Sequence, residues 1–153
     1  MPVYRFIPNI PAEVRQGVLC YVPGRLASDG PEEQILELFG RAGAIIPLDI
    51  EPLIEPAMAL MSSGPAIMAL VAESFADAGA AHGLAPDEAI RMTVETMAGT
   101  AAYLREHDFD TESLKARVAT PGGATERGVN TLEQRGLRDV CRAAVDAVVE
   151  GAR

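Results

Sequence analysis

Thr120-Pro121-Gly122-Gly123-Ala124-Thr125 puts two hydroxyls, a proline, two adjacent glycines and a small residue into one short stretch. Glycines at Gly122 and Gly123 can take positive φ and leave their N–H groups uncovered. The run that follows, about Glu126 to Gln134, reads as a helix, so its unpaired N–H groups and positive dipole end converge on the same spot. A carboxylate or phosphate held there needs no Arg or Lys. The Thr125 hydroxyl would stand beside that anion, able to donate to or accept from a neighbouring atom. The same residues also read as a plain turn between two helices, with Thr as a cap. Local pattern alone leaves both readings open.

Other chemistry is hard to find. Cys20 and Cys141 are far apart and match no metal or redox spacing, which reads as ordinary buried thiols of a cytoplasmic protein. His82 and His107 belong to no HxxxH or Cys/His cluster, so no metal site is expected.

The elements around the turn follow from breakers and periodicity. Val3 to Ile7 is a short strand candidate closed by Pro8-Asn9-Ile10-Pro11, where the prolines should forbid helix. Gly17 to Val22 is a second strand candidate, and Ala44 to Ile50 a third, at a sheet edge if Pro47 lies inside it. Between them, Pro31-Glu32-Glu33 opens a helix that stops near Gly40 to Gly43. Strand, helix and strand in alternation belong to an α/β layer. After Glu51 the pattern is all-α. Helices are expected over Glu51 to Met61, from Pro65 to about Gly83, from Pro86 to Arg105, from Thr111 to Val118, over Glu126 to Gln134, and from Gly136 onward. The expected division is therefore an α/β part at 1–50 and an all-α part at 51–153.

The 153 residues carry a net charge of −9 and are 48% hydrophobic, enough for a soluble protein with a real core. That charge argues against nucleic acid or an anionic membrane as partner. MPVYRFIPN lacks the apolar stretch of a signal peptide. Pro56 to Ala72 is uncharged but short for a membrane span of about 20 residues, and reads as a buried helix pair. Ala66 to Ala81 is apolar on nearly every side, with only Glu73 and Asp77 charged. Such a helix must be enclosed by others, and a second copy of the chain is the expected source of that cover. A central helix in a monomeric bundle is the alternative.

RVATPGGATERGVNTLE resembles the C-terminal signature of pyrroline-5-carboxylate reductases, V-[ST]-S-P-G-G-[TA]-T, then a small residue and a Leu/Glu stretch. Ala59 to Ala66, ALMSSGPA, is similar to the family's A-L-S-G-S-G-P-A, and Phe75 to Leu84 to its A-D-A-G-x-x-x-G-L. Arg5 to Pro11, RFIPNIP, resembles the R-x-M-P-N-T-P that closes its nucleotide-binding domain. The resemblance implies a mainly α protein: a helical dimerisation domain of interlocked helices, preceded by a small α/β remnant of a Rossmann-type domain. It implies reduction of a cyclic imine carboxylate, as in proline biosynthesis. Gly122, Gly123 and Ala124 would receive the carboxylate on backbone N–H groups, with a side-chain contact from Thr120. Thr125 would hydrogen-bond the ring nitrogen as the catalytic group. Asn9 would lie on the cofactor side, and Ser63 with Gly64 and Pro65 would shape the wall of the substrate site. Ser63 reads equally well as a helix N-cap before Pro65.

There are departures. Ile10 replaces the usual Thr, Ser62 replaces the first Gly of GSGP, and Glu126-Arg127 stand where the family has small or apolar residues. The family binds NADPH or NADH through a strand, a GxGxxG turn and a helix, and no such pattern occurs in the sequence. Gly40-Arg41-Ala42-Gly43 is too short for it and follows a helix. The chain alone is therefore expected not to bind the nucleotide, and to need a nucleotide domain from elsewhere, on a separate chain or a longer parent. Autonomous reductase activity is doubtful on that ground. Two other readings stand beside it: a non-redox homodimer on the same scaffold, binding or transforming a small carboxylate or imine, and a purely structural dimer module.

Overall fold

The computed structural model of the chain describes residues 1–152. Three strands form one sheet: β1 (Tyr4–Pro8), β2 (Gly17–Pro23) and β3 (Gly43–Pro47), in the order β1-β2-β3. β1 runs antiparallel to β2, with Tyr4 opposite Pro23. β3 runs parallel to β2, with Gly17 opposite Gly43, so the chain must cross over between them. Helix α1 (Glu32–Gly40) lies in that crossover.

The central strand is apolar throughout because it is covered. Leu19, Cys20 and Tyr21 are all buried. Phe6 of β1 stacks on the Tyr21 ring at 4.7 Å and on Phe39 of α1 at 4.3 Å between centroids. The Tyr21 hydroxyl donates to the Glu32 carboxylate at the start of α1. Burial, and then that carboxylate, push the Tyr21 phenol above its ordinary pKa. Burial likewise raises the Cys20 thiol. Gly43 is obligatory where β3 begins: its φ is +154°, and a Cβ there would lie 2.0 Å from the Gly17 carbonyl oxygen.

Two local expectations fail here. The segment after β1 is not free of helix: Ile10–Val14 forms a 3-10 turn with Pro11 at its start, where a missing N–H costs nothing. The third strand stops at Pro47 rather than Ile50, with one further bond from Leu48 N–H to the Tyr21 carbonyl at 2.8 Å.

Beyond the sheet the chain is helical. A 3-10 turn at Glu51–Leu53 leads into α2 (Ile54–Met61), followed by α3 (Gly64–Ala81) and α4 (Pro86–Glu106). Then come α5 (Thr111–Val118), α6 (Ala124–Gln134) and α7 (Leu137–Gly151). Helix α2 ends where the N–H groups of Ser62 and Ser63 both reach the Met58 carbonyl, at 2.9 and 3.1 Å. Helix α3 restarts on the Ser63 carbonyl, which accepts from Ala66 and Ile67. Asp110 caps α5, accepting from Ser113 N–H at 2.9 Å.

The chain forms two compact units, residues 1–68 with the end of α7 from Ala144, and residues 69–143. The first holds the sheet and its core. The second has almost no core of its own: Ala72, Ala76 and Ala89 are its buried residues among those described. Met68 is 50% exposed, Leu70 63% and Phe75 53%. The helix pair expected to be buried is thus not enclosed by its own chain. Cys141, expected to be buried, is exposed too. Glu51–Ala81 is long and apolar enough by composition to cross a membrane, so shortness does not exclude it; its helix is interrupted at Ser62 and Ser63.

Candidate functional site

The glycine turn is built by two different constraints. Thr120 carbonyl accepts from Gly123 N–H at 2.9 Å, closing a four-residue turn with Pro121 second and Gly122 third. Gly122 has φ +75°, the value a type II turn demands at that place. Gly123 does not share it: with φ −75° and ψ 170° it is the extended N-cap of α6. Its need for glycine is steric. A Cβ on Gly123 would stand 2.7 Å from Thr120 Oγ1 and 2.8 Å from the Thr120 carbonyl oxygen.

Not all of the predicted N–H groups are open. Gly123 N–H closes the turn, and Gly122 N–H donates to Glu126 Oε2 at 2.7 Å. From the other side, Arg127 Nη1 donates to the Gly122 carbonyl at 3.0 Å. The N–H groups of Ala124, Thr125 and Glu126 have no main-chain partner among the described residues, as expected for the first turn of α6. Thr120 and Thr125 are exposed, and the Thr125 hydroxyl makes no hydrogen bond to the described residues. The turn can therefore offer a helix end, three N–H groups and a hydroxyl to an anionic ligand. Sequence reasoning missed the bond from Gly122 to Glu126. Its signal was a Glu at the third position of the helix, where a capping-box carboxylate reaches back.

Asn9 and Ser63 lie in the first unit. Asn9 Nδ2 donates to the Met61 carbonyl at 2.9 Å, and Asn9 Oδ1 accepts from Val18 N–H at 2.8 Å. Its side chain ties the end of β1 to β2 and to the end of α2. Ser63 is half-buried just beyond that junction, and its hydroxyl makes no capping bond. Nearby in sequence to α2, an open cleft of about 510 Å³ is lined by Arg5, Glu51, Pro52, Ile54 and Glu55, with Arg5 and Glu51 paired. Among the described residues no His, Cys, Asp or Glu cluster could hold a metal ion.

The family described as pyrroline-5-carboxylate reductase dimerisation matches residues 51–153. A pyrroline-5-carboxylate reductase of Mycobacterium leprae is 34% identical over 163 aligned residues, covering 95% of this chain and 55% of that protein. Pyrroline-5-carboxylate reductase 3 of Danio rerio is 33% identical, covering 99% and 52%. A solved pyrroline-5-carboxylate reductase of Coxiella burnetii superposes with a TM-score of 0.92 at 32% identity, covering 99% of this chain and 56% of that one. The enzyme of Plasmodium falciparum, solved with NADP bound, gives 0.86 at 26% identity over 98% and 59%. The chain spans about half the length of the curated relatives it matches. With its helical part matched throughout, this chain belongs to the pyrroline-5-carboxylate reductase family and carries that family's dimerisation domain.

Proposed function

We propose that this chain is the substrate-binding and dimerisation part of a pyrroline-5-carboxylate reductase, receiving a cyclic imine carboxylate at the turn between α5 and α6. The observation that carries this reading is the free first turn of α6, with unpaired N–H groups at Ala124 and Thr125 beside an unengaged Thr125 hydroxyl. Those N–H groups hold the carboxylate, and Gly122 and Gly123 keep the backbone close enough for it to approach. Thr125 donates to the ring nitrogen, stabilising the charge that changes there when the C=N bond is reduced. Ser63 lines the wall of the substrate site, and Asn9 holds the junction toward the cofactor side.

The nicotinamide nucleotide fits this chain poorly. A pyrophosphate needs a strand, a glycine-rich turn and a helix N-terminus in immediate succession. Here β2 leads to Pro23-Gly24, where Gly24 packs against the Val3 carbonyl, and β3 leads to Pro47-Leu48-Asp49. The nucleotide domain therefore comes from elsewhere, on a separate chain or a longer parent. The assembly is a homodimer, since α3 and α4 leave Met68, Leu70, Phe75 and Met92 half exposed or more.

Titrating the purified chain with L-proline and with cyclopentanecarboxylate, which lacks the ring nitrogen, tests the reading. Thr125→Ala is expected to weaken L-proline, whose ring ammonium donates to the Thr125 oxygen, by about 1.5 kcal/mol, and cyclopentanecarboxylate less. Equal losses for both would reduce Thr125 to a structural role. NADPH is expected to show no micromolar binding, and saturable binding would mean a nucleotide site of another kind. A second reading, a purely structural dimer module, is favoured by the internal bonds already made by Gly122 and Gly123 N–H. Binding of neither carboxylate would select it.

A further inference from the structure

We propose that Glu126 is a built-in competitor for the carboxylate site, a residue that sets the affinity threshold an incoming acid must clear. This inference rests on the reading of the turn as a carboxylate site. Glu126 Oε2 accepts from Gly122 N–H at 2.7 Å, a charge-assisted bond with the length of a strong one. Its side chain is thereby folded back from the first turn of α6 onto Gly122, one of the N–H groups expected to receive the ligand's acid, while the N–H groups of Ala124 and Thr125 keep no main-chain partner among the described residues. The group occupying the turn is thus chemically the same as the group proposed to enter it. Arg127 forms no ion pair with it among the described residues; its Nη1 donates instead to the Gly122 carbonyl, which belongs to the following peptide.

Two carboxylates cannot share one N–H and one dipole end without repulsion. A ligand acid must either turn Glu126 out toward water or bind beside its charge. Glu126 is half-buried rather than fully enclosed, so an outward rotation is open to it. The consequence is a threshold. A simple monocarboxylate gains little by replacing one carboxylate with another. A ligand that also engages the Thr125 hydroxyl gains a bond that Glu126 does not supply. The displacement cost falls on every acid alike, so Glu126 lowers the affinity for all small carboxylates, and at a given concentration the acids that also engage Thr125 are the ones that bind.

The test uses L-proline, cyclopentanecarboxylate and pyrrolidine as probes, titrated into the parent chain, Glu126→Gln and Glu126→Ala by calorimetry. Glu126→Ala is expected to tighten both carboxylates by about three- to tenfold, the range for releasing one exposed charged hydrogen bond. Glu126→Gln keeps the shape and an acceptor for Gly122 N–H but removes the charge, so a smaller gain is expected. Pyrrolidine, which has no acid and is a cation at neutral pH, should gain nothing and bind no more tightly than to the parent. Circular dichroism checks that each variant keeps its helices, and the Gln variant carries the test if the Ala variant unfolds. Carboxylates that bind the parent but gain nothing from either variant, or bind them more weakly, overturn the competitor role. Equal tightening of pyrrolidine overturns it as well, because the effect would then not be one of acid against acid. If no carboxylate binds the parent or any variant, the site reading itself falls and this inference with it.

Discussion

At the residue scale, Gly122 and Gly123 look alike in sequence but are needed for different reasons, and substitution separates them. Gly122→Ala meets no atom within 4 Å, yet must hold φ +75°. The expected cost is about 1–2 kcal/mol, the left-handed penalty for an L-residue. Gly123→Ala has a permitted backbone angle, but its Cβ collides with the Thr120 carbonyl, which is main chain and cannot rotate away. The Thr120–Gly123 bond must break or shift, so Gly123→Ala is expected to abolish carboxylate binding while Gly122→Ala only weakens it. Thermal unfolding and probe titration on the two variants check this, and the reverse order of damage refutes it. Asn9 is judged by the same logic. Both ends of its amide are used within the first unit, so Asn9→Ala leaves Val18 N–H and the Met61 carbonyl unpaired. A loss of about 1–3 kcal/mol of stability is expected. An unchanged melting temperature would show that these two hydrogen bonds do not hold the first unit together.

At the element scale, most boundaries were legible because they rest on local chemistry. Pro86 opens α4 and Pro23-Gly24 closes β2, each through a residue whose own backbone preference decides the matter. What was not legible depended on contacts. The 3-10 turn after β1 coexists with Pro11 because the chain must return to pair Ile7 with Cys20. The spacing of Glu126 signals a carboxylate that reaches back over the helix start, but that it takes Gly122 N–H, one residue before the N-cap, depended on its rotamer. The corner between α6 and α7 offers a pH test. Glu133 accepts from Arg138 through both oxygens, at 3.1 and 2.8 Å from Nε, and this bonding holds its carboxyl below the usual range. A depressed folded-state pKa means the contribution is complete above the unfolded value and is lost as pH falls through the folded one. The pair is exposed, so the effect is small. Glu133→Gln is expected to lower the melting temperature slightly at neutral pH, and the gap to the parent should close only in acid, as pH falls through a folded-state value held below the ordinary glutamate range. A gap that stays constant with pH would show that the charge contributes nothing.

At the scale of the whole molecule, the composition promised a core that the single chain does not build for its helices. Ala72, Ala76 and Ala89 are buried, while the larger side chains Met68, Leu70, Phe75 and Met92 face outward. Alanines let helices approach closely, and the larger side chains are what such an approach leaves to be covered. A groove of about 290 Å³ lined by Phe75, Met92, Thr93, Thr96 and Met97 lies on this unfinished surface. Membrane insertion and a second protein copy could each cover apolar side chains. The dimerisation family matched by residues 51–153 favours the second copy. An interface of this kind is a core cut in half, so folding and association are one event. Leu70→Asp places a charge in the middle of it. The variant is expected to lose helicity by circular dichroism and to become insoluble, rather than to yield a folded monomer. The parent is expected to run as a dimer or larger assembly by light scattering at micromolar concentration without detergent, with a melting temperature that rises with protein concentration. A monodisperse, fully helical monomer for either protein would show that α3 is enclosed by its own chain after all. A parent that needs detergent to stay in solution would point to the membrane instead.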